Sequence, residues 1–289
     1  MTNCKPIQTP LPTKFPSDHT LQQPFHQPAL FHQLVGSLQY MSTIRPDIVF
    51  AVNKLCQHMH QPLLLHYQLL KLLLRYMQGT IDYSLLLPKI DLVLTAFSDS
   101  DWAGDVIDRK STTGYCIFLG QALVSWTVKK QNTVAGSSTE ADDHSLAAVA
   151  ADIIWIRCLC IDFKIPQQPT PLYCDNIYAM SIATNPIFHA RTKHIEIDHH
   201  FVRNNIQAKH IPVHHIATED QPADLFTKAL HVSKHLIIRT KLMVVPPISL
   251  RVGVKEECNT PASTHSKQER LPASAADTAE LALATASFM

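Results

Sequence analysis

A chain of 289 residues with 46% hydrophobic and 17% charged residues has the composition of a folded globular protein, enough for one sizeable core or two small ones. Twenty-five Lys and Arg face 24 Asp and Glu, and the resulting formal charge of +1 excludes a whole-molecule electrostatic case for a nucleic-acid partner, so any basic footprint must be local. Seven cysteines with no Cys-x-x-Cys pair speak against a zinc ribbon or a disulfide framework, and reduced thiols inside the cell, in cytoplasm or nucleus, are the expectation.

Residues 1–28 are rich in Pro, Gln and Thr and lack the apolar core of a secretion signal, which predicts an extended lead-in. Over 29–80 apolar residues recur at helical spacing in three blocks, Leu30 to Ser42, Pro46 to His60 and Leu63 to Gln78. Pro46 and Pro62 fall near block starts, where the missing N–H costs nothing, and a small three-helix bundle follows. After Gly79 the period changes. Asp91 to Ser98 (DLVLTAFS), Thr113 to Leu119 and Ala122 to Thr127 read as a three-stranded meander turning at Gly120 and Gln121. A long helix is capped by Ser137, Ser138 or Thr139 and runs through Leu146, Ala150, Ile153 and Arg157. Its most apolar part, Leu146 to Ile161, is broken by Asp152 and Arg157, as in a buried helix rather than a membrane span.

Then come a strand at Pro169 to Cys174, a short helix at Asn176 to Thr184, a strand at Lys209 to Ile216, and a last helix starting near Asp220 to Pro222 that carries Asp224, Leu225 and Leu230. Residues 90–231 thus predict an α/β domain whose five-stranded sheet is mixed, because its later strands are joined by helices. Residues 246–289 turn to Pro, Ala, Ser and Thr and predict a disordered tail.

Four carboxylates stand at element ends in this layout. Asp99 closes the first strand (FSDSDWAG), Glu140 lies in the first turn of the long helix (SSTEADD), Asp175 ends the fourth strand, and Asp224 lies near the start of the last helix. Taken singly, each has a plain structural use as a partner for a helix dipole or as a turn former. Gathered at one point, hard oxygen donors of like charge repel one another unless cations neutralise them, and they suit Mg²⁺ or Mn²⁺. Two such ions would activate water and stabilise a leaving oxygen in phosphodiester hydrolysis.

The segments LVGSLQYMSTIRPDIVFAVNKL, LLRYMQGTIDYSLLL, SDSDWAGDVIDRKSTTGYCIFLGQALVSWTVKKQNTVAGSSTEAD, LYCDN and EDQPADLFTKAL closely resemble the C-terminal part of copia-type retrotransposon Pol polyproteins, over about residues 1–243. The resemblance implies that 29–80 is a remnant of the reverse transcriptase thumb and connection and that 90–231 is an RNase H domain. The polymerase's catalytic Asp-Asp motif is not in this chain, so DNA synthesis by it alone is not expected. Carried over residue by residue, Asp99 would bridge two metals, Asp224 would hold the one on the attacking-water side, and Glu140 with Asp175 would hold the other. The implied substrate is the RNA strand of an RNA–DNA hybrid, with an intact reverse transcriptase as a possible partner and no membrane involved. Contacts to the 2′-hydroxyl must distinguish the strands, and Glu140 with its neighbouring backbone is the candidate.

Arg109, Lys110, Lys129, Lys130, Arg191, Lys193 and Arg203 are candidate phosphate contacts, each weighed against ordinary solvated charge. His194, His199 and His200 form a His-rich stretch for which a zinc reading is disfavoured, and His214 and His215 read as exposed strand-end residues. The chain departs from the family pattern at Leu72, Gly136, Asp143 and His144, and a core-facing Asp143 would be costly. These departures support an alternative, a folded retroelement remnant without catalysis. A different nuclease of the same fold, such as an integrase or resolvase, is a more distant one.

Overall fold

Helix α1 (Pro28–Met41) has proline at its first position and buries Phe31, Val35 and Leu38 along one stripe. The second expected helix is divided: a 3-10 turn at Pro46–Ile48 precedes α2 (Val49–Cys56), which buries Phe50, Ala51, Val52 and Leu55. Helix α3 (Leu64–Gly79) starts where the Leu63 N–H donates to His66 Nδ1 at 3.0 Å, and it buries Leu69, Leu70, Leu73, Tyr76 and Met77. The computed structural model describes residues 4–16, 18–88, 91–184 and 193–247. The predicted tail therefore lies almost wholly outside the described residues. The lead-in is pinned in part: Leu11 and Phe25 are buried in the helical core, and the Phe25 ring stacks on Tyr67 with centroids 4.1 Å apart.

After a two-residue strand β1 (Ser84–Leu85), the predicted five-stranded mixed sheet is present. Its strands are β2 (Leu94–Asp101), β3 (Thr112–Leu119), β4 (Ala122–Lys130), β5 (Leu172–Cys174) and β6 (Val213–His215), in the order β4-β3-β2-β5-β6. The meander pairs are antiparallel, whereas β2 with β5 and β5 with β6 are parallel, as expected of strands joined by helices. The long helix α4 (Ser138–Asp162) is capped by Ser137, whose hydroxyl accepts the Glu140 N–H. It is long and apolar enough to cross a membrane, but Leu146, Val149, Ala150 and Ile153 are buried against β2 and β3 in one core. Helices α5 (Ile177–Thr184) and α6 (Lys193–Gln207) complete that layer; the pattern reading did not foresee α6.

The last helix differs from expectation. It stops after one turn, as α7 (Asp224–Thr227), because Lys228 is extended, and a second helix α8 (Val232–Lys241) follows. A final strand β7 (Val244–Val245) then pairs antiparallel with β1.

The helical segment and the sheet domain pack on each other, and the described residues between 4 and 247 form one compact unit. Asn53 Nδ2 donates to the Val128 carbonyl at 3.2 Å, and Trp126 Nε1 donates to the Ser42 carbonyl at 3.1 Å. A polar hub lies under α8. Buried Arg45 donates to both Asp47 oxygens at 2.8 and 2.7 Å and to the Thr80 carbonyl and hydroxyl, while Tyr76 donates to Asp47 Oδ2 at 2.6 Å. The buried charges are thus paired and hydrogen-bonded, as burial requires.

Candidate active site

Asp99 is fixed from three sides near the end of the central strand. Its carbonyl accepts from Ser145 Oγ at 2.9 Å, tying β2 to α4. Its carboxylate accepts from the Thr227 hydroxyl. In the β2–β3 register it lies opposite Gly114, and a Cβ there would come within 2.6 Å of Thr227 Cγ2 and 2.7 Å of Phe226 Cβ. The bare backbone of Gly114 is what lets α7 press against the sheet and bring Asp224 and Thr227 up to Asp99.

Asp224 is fully buried, and both of its oxygens face ammonium groups: Lys228 Nζ stands 2.6 Å from Oδ1, and Lys234 Nζ is bound to Oδ2. Lys228 also reaches Asp99 Oδ2 at 3.5 Å, so its ammonium lies between the two carboxylates. On the far side Asp175 Oδ2 accepts from Thr218 Oγ1 at 2.9 Å, and the Thr218 carbonyl accepts from Lys234 at 2.8 Å. Burial, with help from Asp224 and Asp175 and against the pull of Lys228, pushes the Asp99 carboxyl up to about 7.

The structure separates the candidate acids. Asp99, Asp175 and Asp224 belong to this network; Glu140 does not. Its carboxylate accepts the Gly136 N–H at 2.8 Å, a capping role at the start of α4. The acid that α4 turns toward the site is Asp142, which the sequence reading passed over. Asp142 is buried and accepts from Ser100 Oγ at 2.7 Å and from Asn176 Nδ2 at 2.8 Å, residues adjacent to Asp99 and Asp175. Burial pushes its carboxyl up to about 6, with Asp175 adding to the rise and the two hydrogen bonds and Lys228 opposing it.

Among the described residues no three acids or histidines are close enough to hold a metal ion together. The donor chemistry suits a hard divalent cation nonetheless: four carboxylates, two of them with raised pKa, share one corner of the fold. Two lysines now supply positive charge there.

The candidate phosphate contacts divide likewise. Arg109 and Lys129 are exposed and Lys110 is half-buried. Lys130 is committed to Asp105 at 2.6 Å and Asp108 at 2.9 Å, pinning the loop after β2. Partial burial works against the ionised Asp105 carboxyl, yet Lys130 and the Ile107 and Asp108 amides hold it at about 2. Arg203 is buried, 7% exposed, and lies within electrostatic reach of buried Asp143. It is placed to offset that charge. Arg191 and the side chain of Lys193 lie outside the described residues, as do those of His194 and His199.

A long helix across a mixed five-stranded sheet, with carboxylates gathered at the end of the central strand, defines an RNase H-like domain. No family model matches the chain. Among curated proteins it is 43% identical over 232 residues to the retrovirus-related Pol polyprotein from transposon RE2 of Arabidopsis thaliana, covering 80% of this chain and 16% of that protein. To the corresponding polyprotein from transposon RE1 of the same plant it is 42% identical over 251 residues, covering 86% of this chain and 17% of the relative. The chain belongs to the copia-type retrotransposon Pol family, and it spans about a sixth of the length of these relatives. Among solved structures, RNase H1 from the archaeon Halobacterium salinarum NRC-1 aligns with 47% of this chain and 94% of its own, at 12% identity and a TM-score of 0.35.

Proposed function

We propose that the chain hydrolyses the RNA strand of RNA–DNA hybrids, as the RNase H part of a copia-type element. The observation that carries this reading is that Asp99, Asp142, Asp175 and Asp224, from β2, α4, the end of β5 and α7, are electrostatic neighbours: Asp224 and Asp175 both act on Asp99, and Asp175 acts on Asp142. Asp99 and Asp224 would hold one divalent cation, Mg²⁺ or Mn²⁺, and Asp142 with Asp175 a second. When bound, these ions supply a water of lowered pKa and charge stabilisation of the leaving oxygen. The chain's own residues prepare the ligands: Thr227 orients the Asp99 carboxylate, Ser100 and Asn176 orient Asp142, and Thr218 orients Asp175. Exposed Arg109 and Lys129 and half-buried Lys110 would meet the hybrid's phosphates. With the Glu140 carboxylate bonded back to the Gly136 amide, backbone at the start of α4 would be left to read the 2′-hydroxyl. The helical segment over 29–80 is read as the end of a reverse transcriptase, which makes an intact polymerase a candidate partner.

The alternative is a folded remnant without catalysis. It draws on one observation, that both Asp224 oxygens are already engaged by lysines. Incubating the full chain with a labelled hybrid and Mg²⁺ or Mn²⁺, beside Asp99→Asn, decides between them. RNA-strand cleavage by the parent that the variant lacks supports the nuclease; a folded parent that cuts nothing with either metal leaves the remnant.

A further inference from the structure

The cation between Asp99 and Asp224 is a side chain of this protein. We propose that Lys228 is a resident counter-ion which neutralises the acid pair in the metal-free protein and must withdraw before a divalent cation can bind there; this rests on the metal-dependent reading above. An ammonium 2.6 Å from one carboxylate and 3.5 Å from the other fills the gap between them. A divalent ion of the magnesium type, which needs oxygen donors at about 2.1 Å, cannot share that gap.

Lys228 is built to leave. Its side chain is 37% exposed, whereas that of Asp224 is fully buried, so the ammonium can swing to water while the acid cannot. Lys234 is the fixed partner by comparison. It is held to the Thr218 carbonyl as well as to Asp224, so it keeps Asp224 oriented after Lys228 has gone. Metal binding is then an exchange of one monovalent side-chain cation for a divalent ion. The cost of displacing the lysine sets the affinity, and the charge delivered by the ion exceeds the charge removed.

The test reads metal affinity and metal-free stability, independent of nuclease activity. Calorimetric titration of the full chain with MnCl₂ gives the affinity of the parent, of Lys228→Met and of Lys228→Arg. Thermal melts in EDTA and in saturating Mn²⁺ accompany each titration. The expected result is a Kd at least tenfold tighter for Lys228→Met, which no longer competes, and a weaker one for Lys228→Arg, whose guanidinium grips carboxylates with two hydrogen bonds. The expected melts have Lys228→Met below the parent in EDTA and gaining more than the parent from Mn²⁺. Equal affinities in all three, with metal binding intact, overturn the counter-ion role and leave the nuclease reading standing. No Mn²⁺ binding by any of the three overturns both. Should Lys228→Met fail to fold, the Arg variant still decides, since an unchanged or tighter Kd contradicts displacement.

Discussion

On a helix two residues are about 200° apart, so Glu140 and Asp142 cannot face the same side of α4. The structure gives the outer position to Glu140, bonded back to the Gly136 amide, and the inner one to Asp142, which meets Ser100 and Asn176. The expected outcome is therefore asymmetric. Asp142→Asn should lower hybrid cleavage by roughly a hundredfold or more, as befits loss of a metal ligand's charge. Glu140→Gln should leave the rate within about twofold and lower stability by about 1 kcal/mol or less, the scale of a cap interaction. Cleavage rates and urea melts of the two variants measure this, and a dead Glu140→Gln with a working Asp142→Asn would return the catalytic role to Glu140. The phase of the helix was readable in advance. Leu146, Val149 and Ile153 mark the buried stripe, and four residues before Leu146 stands Asp142. Residue type alone points to the glutamate instead. The other three acids lie at element ends, where hydrophobic period changes are visible, and they were legible for that reason.

At the scale of elements, the sheet and α4 follow from periodicity, since each long apolar run had only one face or one register that could be buried. The short pieces did not follow. The two-residue pair β1 and β7 has no pattern of its own, and helix α6 carries polar residues over most of its surface. The last turn, α7, depends on a neighbour: it exists where it does because Gly114 leaves room on β3. A Gly114→Ala substitution puts a methyl within 2.6 Å of Thr227 and forces α7 outward. The expected destabilisation is about 1–3 kcal/mol, the usual range for overpacking. Cleavage should fall more than stability does, because the hydroxyl that orients Asp99 moves with α7. Urea denaturation alongside cleavage rates checks both, and an active, fully stable variant would show that α7 is not held by this contact.

Across the whole molecule, sequence pattern separated a helical segment from a sheet domain, whereas packing joins them through a hub that no local period reveals. Arg45, Asp47 and Tyr76 come from the helical segment, and His235 and Arg239 of α8 close over them, with the His235 ring edge-on to Tyr76 at 5.5 Å. Residues about 190 positions apart in sequence meet there, so only the tertiary fold creates the site. Burial depresses His235 to about 4, with Arg239 and Arg45 acting in the same direction and Asp47 against it. The sign follows from proton binding. Between about pH 6.5 and 4 the unfolded chain protonates this histidine and the folded one does not, so its contribution is complete above pH 6.5 and is lost as pH falls. At pH 5 the loss is about 2 kcal/mol, from roughly 1.5 pH units at 1.36 kcal/mol each. Buried Asp99, Asp142 and Asp143, raised to about 7, 6 and 6, act oppositely, because the folded state takes up their protons first. Overall acid stability mixes the two effects, but a variant isolates one of them. His235→Phe keeps a ring against Tyr76 and cannot titrate, so it should gain about 2 kcal/mol on the parent between pH 7 and pH 5 in urea unfolding. A gap between the two proteins that stays constant with pH would mean that His235 takes up its proton alike in the folded and unfolded chain, with Asp47 offsetting burial in the hub.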